Sequence, residues 1–111
     1  MPGPADISLG NMQLDMLIGA TLTPAQVALS STAEQTFTVN GLVVGDFVVV
    51  QKPTTQVGLA IGGARVSAAN TLAITFVNAS TGNLTPTAGE LYTINVNRRE
   101  NLDQPLPTAI T

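Results

Sequence analysis

Carboxylates are the side chains of this chain best suited to chemistry, since they can act as general acids, general bases or cation ligands. No two of them have the spacing of a calcium-binding loop or of a paired general acid and base. Asp46 and Glu90 stand where strands are predicted to start, and a solvated carboxylate in a turn or cap is the ordinary role there. A glycosidase site is therefore not favoured. The acidic residues are Asp6, Asp15, Glu34, Asp46, Glu90, Glu100 and Asp103.

The chain has neither cysteine nor histidine. Without them no disulfide or thiolate metal site can form, and the usual zinc and copper ligand sets are missing. The Ser-His-Asp and Cys-His arrangements of nucleophilic catalysis are excluded for the same reason. The sequence therefore predicts a protein that is not an enzyme and that holds no cofactor and no metal.

Two short motifs match known patterns but lack the context that those patterns need. Gly58, Gly62 and Gly63 are followed by no Lys-Ser or Lys-Thr pair and by no helix-forming run, so turn or bulge glycines are predicted instead of a nucleotide loop. Asn78 and Asn83 each begin a glycosylation acceptor triplet, which we interpret as a chance match in a chain rich in Asn and Thr.

The charge pattern argues against nucleic acid and for contact with other protein subunits. Charged residues make up 10% of the chain and the net charge is −3, whereas about 25% charged residues is usual. A neutral surface of this kind provides little repulsion between molecules. Arg98 and Arg99 next to Glu100 could form an inter-subunit ion pair, although a solvated pair worth about 0–1 kcal/mol is favoured. The four basic residues, too scattered to follow a phosphate backbone, are Lys52, Arg65, Arg98 and Arg99.

Neither a membrane span nor a signal peptide is expected. The first six residues lack the basic region and apolar run of a secretory signal. The longest apolar cluster, residues 42–50, is interrupted by Gly45 and Asp46 and falls short of the roughly 18 apolar residues of a membrane helix. A soluble protein is predicted.

Short β-patterned segments alternate with Gly, Asn and Pro turns between residues 33 and 98. The clearest alternation of apolar and smaller side chains covers residues 71–78, and residues 47–50 are apolar at every position, which predicts a strand buried on two faces. Such spacing predicts an all-β antiparallel β-sandwich or jelly-roll-like domain. The predicted strands are residues 25–29, 34–39, 42–52, 64–67, 71–78 and 90–98.

Three parts are predicted: an N-terminal arm (residues 1–24), the β-domain (25–100) and an extended C-terminal tail (101–111) with two prolines. The arm either packs on its own domain or lies across a neighbouring subunit. In the second case its apolar side chains would bind the partner. Those candidate partner-binding residues are Met12, Leu14, Met16, Leu17 and Ile18.

Four segments carry a resemblance to a known group of proteins: residues 37–46 (FTVNGLVVGD), Lys52-Pro53, residues 64–68 (ARVSA) and residues 71–78 (TLAITFVN). In this succession the chain resembles small structural proteins of tailed bacteriophages, and most of all the head decoration, or cement, proteins. The resemblance is one of pattern and covers roughly residues 26–98.

The resemblance implies a trimeric β-domain on the outer surface of an icosahedral capsid, where it would bind the major capsid protein and stabilise the shell. A tail, fibre or baseplate component of a phage is the first alternative. A carbohydrate-binding β-sandwich is the second, and it is less favoured because sugar sites use exposed aromatic rings. The chain has no Trp and one Tyr, and its three Phe lie in strand patterns.

Overall fold

The structure, a computed structural model, describes residues 12–99. This part of the chain consists of strands and connections and contains no helix, so it has no helix that could cross a membrane. The strands are β1 (Met12–Leu22), β2 (Ser31–Thr38), β3 (Phe47–Gln51), β4 (Leu59–Ala68), β5 (Thr71–Asn78) and β6 (Glu90–Arg99).

The strands form two three-stranded sheets, and every pairing is antiparallel. Sheet one has the order β1-β6-β3, and sheet two has the order β2-β5-β4. The predicted all-β antiparallel class is therefore confirmed, and two such sheets are compatible with a small β-sandwich. The central strand β6 pairs with two strands that are distant in sequence, whereas β5 pairs with the distant strand β2 and with β4, which immediately precedes it.

A single hydrophobic core lies between the sheets, because alternate residues of each strand point to it. Tyr92, Ile94 and Val96 of β6 are buried in it. Side chains from sheet two and from the connections complete the cluster. These include Val66, Leu72, Ile74, Phe76, Val27, Val39 and Leu42.

Most of the predicted strands are present, with changes at their ends. Residues 71–78 form β5 as predicted, and 90–98 lie within β6. Within 42–52, however, only Phe47–Gln51 pairs as a strand, and residues 25–29 contribute a single bridge from Val27 to Leu84. Tight turns, and contacts with distant segments of the same chain, interrupt these two segments.

The described part of the predicted N-terminal arm is a strand of sheet one. Residues 12–22 form β1, which pairs with β6 from Met12↔Arg99 to Leu22↔Glu90. Apolar side chains at alternate positions direct one face of β1 towards the core, where Leu14, Ile18 and Ala20 pack against the buried cluster. Residues 12–22 therefore pack on their own β-domain, which is the first of the two arrangements predicted for the arm. The rest of the arm and the tail after Arg99 lie outside the described residues.

Candidate functional site

The exposed surface of sheet one is the candidate functional site. Residues directly opposite each other in an antiparallel pair point to the same side of the sheet, so the register defines this surface row by row. The first row joins Asp15, Asn97 and Phe47 across β1, β6 and β3. We call this surface the outer face. It consists of Asp15, Leu17, Gly19, Thr21, Phe47, Val49, Gln51, Leu91, Thr93, Asn95 and Asn97.

A polar cluster lies at one end of the outer face. The side-chain amides of Asn95 and Asn97 both donate to Asp15 Oδ1, at 3.2 Å and 2.8 Å. The two asparagines are two positions apart on β6, so they lie on the same side of the strand with Asp15 beside them on β1. The carboxylate thus holds both amides in fixed orientations.

Large apolar side chains also lie on the outer face: Leu17, Phe47 and Val49 in the two rows of the polar residues, and Leu91 two rows further along β6. The exposed fractions are 69% for Leu17, 64% for Phe47, 58% for Leu91 and 52% for Val49. Leu17 and Val49 stand on opposite sides of Asn95 in one cross-strand row. Exposed apolar residues that share one face are typical of a surface that contacts another molecule, whereas scattered ones need no explanation.

Strand β3 corrects the prediction that residues 47–50 are buried on two faces. Val48 is buried against the core, but Phe47 and Val49 point to the outer face. Sheet one packs on sheet two with only one side, and no other element of residues 12–99 covers its second side. The run of apolar residues in the sequence therefore marks a contact surface and not a doubly buried strand.

The loop before β3 is held in place by an ion pair. Arg98 donates through Nε to Asp46 Oδ1 and through Nη2 to Asp46 Oδ2, each at 2.8 Å. Arg98 Nη2 also donates to the carbonyl of Gly41 at 2.9 Å, and the backbone N–H of Val43 donates to Asp46 Oδ2 at 3.0 Å. These bonds hold the loop backbone at Gly41 and Val43, and the side chains of Val43 and Val44 are exposed.

The environment of Asp46 determines its titration. The hydrogen bonds from Arg98 hold the pKa of this carboxyl below its ordinary value, against the opposing effect of burial. The same bonds raise the pKa of Arg98. Asp46 is therefore a buried, paired carboxylate, which corrects the prediction of a solvated one. Arg98, which the sequence placed beside Glu100, makes its ion pair here.

Glu90 is also paired. Lys52 Nζ lies 2.9 Å from Glu90 Oε1, and the Thr54 hydroxyl donates to Glu90 Oε2 at 2.6 Å. The hydrogen bond from Thr54, followed by that from Lys52, lowers the pKa of Glu90. Its side chain is largely buried in this cluster. The predicted solvated cap is thus replaced by a largely buried carboxylate beside Lys52 and Thr54.

Asp46 and Glu90 are not brought together. Glu90 begins β6, whereas Arg98, which holds Asp46, stands near the end of that strand. Eight residues at about 3.4 Å each separate these two positions by about 27 Å. A pair of glycosidase carboxyls lies about 5–10 Å apart. These two residues do not form such a pair, and residues 12–99 contain no group of three acidic residues placed to hold a metal ion.

The two acceptor triplets differ in exposure. Asn78 is buried, and its amide donates to the carbonyls of Val27 and Gly82 at 3.0 Å and 2.9 Å. Its Oδ1 accepts from the N–H and the hydroxyl of Ser80. Asn83 is exposed and accepts one bond from the Leu29 N–H. Asn78 therefore has a structural role, which agrees with a chance match to the acceptor pattern.

The glycines serve turns and a bulge, as predicted. Gly58 has φ of +84° in the turn before β4, a backbone conformation that favours glycine. Gly62 lies at the bulge of β4, where the pairing with β5 shifts between Ile61 and Gly63.

The five candidate partner-binding residues all lie on β1. Leu17 is on the outer face, whereas Leu14, Met16 and Ile18 point to the side of the core. Met12 forms the first pair of the strand, opposite Arg99. Sequence reasoning missed the part of the outer face that lies on β3 and β6. The available signal was Phe47, Val49 and Leu91, whose apolar side chains occupy the strand positions opposite to those of the core.

No protein-family model, curated protein or solved structure matches this chain.

Proposed function

We propose that this chain is a structural protein of a bacteriophage particle, which decorates the outer surface of the capsid and stabilises it by binding the major capsid protein. The observation that carries the proposal is the outer face of sheet one, which presents four large exposed apolar side chains and a hydrogen-bonded cluster of Asn and Asp. The succession of segments that resembles the head decoration proteins supplies the phage setting.

The outer face has the composition of a binding surface. Apolar contact removes water from Leu17, Phe47, Leu91 and Val49, and this burial contributes about 25 cal/mol per Å². The amides of Asn95 and Asn97 can form the hydrogen bonds that give such a contact its specificity. The low charge of the chain reduces repulsion from a neighbouring subunit.

Stabilisation of a shell follows from mass action. A protein that binds only the assembled lattice shifts the equilibrium towards that lattice by about 2.7 kcal/mol per site when its concentration is a hundredfold above Kd. Many copies on one shell multiply the effect, so no catalytic group and no cofactor is required. The jelly-roll-like connectivity and the two terminal arms belong to the same proposal, and the oligomer that the resemblance implies is a homotrimer.

Two matched variants test the use of the outer face. Phe47→Ser removes an apolar side chain from the face, and Val57→Ser removes one that is 94% exposed in the turn before β4. We expect Phe47→Ser to lower the occupancy of the protein on capsids of the phage that encodes it, measured by co-sedimentation, while Val57→Ser leaves occupancy unchanged. Equal loss in both variants, or in neither, would contradict a role for the face.

Labelled antibody and electron microscopy locate the protein on the particle. Label over the head supports decoration of the capsid, whereas label confined to the tail, fibre or baseplate would replace this proposal with the alternative component of the same particle.

A carbohydrate-binding function is the second candidate, because Phe47 is an exposed aromatic ring in the same row as Asn97 and Asp15. An aromatic ring can stack on a sugar while amide and carboxylate groups bond its hydroxyls. Binding of the wild-type chain on a glycan array, lost in Phe47→Ser and kept in Val57→Ser, would favour this function.

A further inference from the structure

The second edge of β1 is the feature that this inference concerns. In sheet one, β1 pairs with β6 along one edge, and none of the other strands in residues 12–99 pairs with its opposite edge. Backbone N–H and C=O groups on such an edge are directed away from the sheet. They form a template to which another strand can bind.

The other three edges carry features that hinder strand addition, whereas the irregularity recorded in β1 lies at its start, between Met12 and Leu14. β2 is contacted by the preceding connection, where the Gln35 side chain forms hydrogen bonds to the N–H and C=O of Ala25 at 2.7 Å and 2.9 Å. β4 is interrupted by two irregularities, and β3 is only five residues long. β1 has eleven residues, of which Asp15 alone is charged, and it contains no Lys and no Pro. Natural edges are usually protected by such devices.

The core is open beside β1. Met16 points to the core side of the sheet, yet 47% of it is exposed, whereas Val96, its partner on β6, is 2% exposed. Leu14 and Ile18, on the same side of β1, are only partly buried. A strand added next to β1 would complete the cover over these three side chains.

We propose that β1 is a self-association strand, to which β1 of a second copy binds in antiparallel orientation about a two-fold axis. The straight part of β1 after its irregularity runs from Leu14 to Leu22, and its midpoint is Ile18. Centred there, Ile18 of each copy faces its equivalent, and the core-side residues of one copy meet core-side residues of the other.

This register also separates the charges. Asp15 of one copy faces Thr21 of the other, so the two carboxylates lie six residue positions apart, or about 20 Å. Both sheets then join into one continuous six-stranded sheet. The proposal rests on the edge of β1 and not on the function proposed above. The resemblance implies a trimer instead of a two-fold dimer, and the mass of the protein in solution distinguishes these two oligomers.

Substitutions at Thr21 test the register, because this residue is exposed and its neighbour on β6 is Leu91. In the proposed pair, Thr21→Lys places a cation opposite Asp15 of the other copy twice per dimer, and Thr21→Asp places an anion there. Opposite charges that face each other across two strands strengthen the pairing, and like charges weaken it. We therefore expect Thr21→Lys to lower the dimer Kd by about fivefold and Thr21→Asp to raise it by about fivefold. Far-UV circular dichroism checks that both variants keep the fold.

Analytical ultracentrifugation of the full chain gives the mass and the Kd. Twice the chain mass, together with opposite shifts of Kd in the two variants, supports the proposal. Three times the chain mass would overturn it. A dimer whose Kd is the same in the wild type and in both variants would also overturn it. A monomer at all concentrations would also overturn it, and full protection of the β1 amides from hydrogen exchange in that monomer would show that another segment of the same chain covers the edge.

Discussion

Arg98 and Asp46 form a bidentate ion pair, with both hydrogen bonds at 2.8 Å, between the end of β6 and the loop that precedes β3. The Asp46 side chain is almost fully buried, while Arg98 keeps about a quarter of its surface in water. The pair therefore connects the buried core to the rim of the outer face. Its other contacts, to Gly41 and Val43, show that it organises the whole loop.

Replacing Asp46 should destabilise the protein. Asp46→Ala leaves the guanidinium of Arg98 and the N–H of Val43 without their partner, and we expect a loss of about 2 kcal/mol of unfolding free energy. Urea unfolding followed by circular dichroism measures it. Asp15→Ala, on the exposed outer face, is the matched control and should stay within about 0.5 kcal/mol of the wild type. Equal effects of the two substitutions would contradict the structural role of the pair.

Stability should fall at acid pH. The pKa values of Asp46, Glu34 and Glu90 are lowered from their ordinary values of 3.8, 4.5 and 4.5, by hydrogen bonds from Arg98, Arg65 and Thr54 respectively. A carboxyl whose pKa is lower in the folded state stabilises the fold above its ordinary value, and this contribution is lost as the pH falls through the folded value.

We therefore expect the urea midpoint to be constant from pH 7 to about pH 5.5 and to fall steadily below pH 4.5. Asp46→Asn should reduce the slope of this fall. A urea midpoint that stays unchanged down to pH 3 would show that folding does not lower the pKa values of these three carboxyls.

The two acceptor asparagines should respond differently to the same substitution. Asn78→Asp replaces an amide that donates to two carbonyls with a group that cannot donate when ionised, and the site is buried. We expect a loss of about 3 kcal/mol. Asn83→Asp keeps the oxygen that accepts from Leu29 at an exposed position, and a change within about 0.5 kcal/mol is expected. Urea midpoints compare them, and similar losses would contradict the hydrogen-bond assignment.

Adjacent glycines of β4 provide a second matched pair. A Cβ added at Gly62 would lie 2.9 Å from Cγ2 of Val77, which has to shift, whereas one added at Gly63 meets no atom within 4 Å. We expect Gly62→Ala to destabilise the protein by about 1–2 kcal/mol. Gly63→Ala should stabilise it by about 0.5 kcal/mol, since alanine restricts the unfolded chain. Thermal unfolding separates them, and the reverse order would show that the bulge has another geometry.

The sequence was most informative where alternation and turns act locally. Residues 71–78 became β5 as predicted, since Leu72, Ile74 and Phe76 alternate with smaller side chains. The class of the fold followed from several such segments. β1 was missed as a strand because its apolar residues and its bounding glycine suggested a separate segment, although Leu14, Met16, Ile18 and Ala20 also alternate.

The outer face and the ion pairs depend on distant partners and could not be predicted in the same way. Phe47 and Val48 are equally apolar, and only the packing of sheet one on sheet two decides which of them is exposed. Likewise, Arg98 and Asp46 are 52 positions apart, and their meeting depends on the pairing of β3 with β6. Contacts of this kind arise from topology, which a local pattern does not encode.

The pairing of β1 with β6 also determines how the domain bears force. Because Met12 lies opposite Arg99, the start of β1 and the end of β6 stand side by side at the same end of sheet one. A force that pulls the start of β1 away from the end of β6 breaks the hydrogen bonds of the β1–β6 ladder one after another, so the resistance at each step is small. A load that enters through the broad surface of the sheet is instead shared by all three strands at once. The domain is therefore mechanically suited to being held by its surface rather than by the start of β1 and the end of β6.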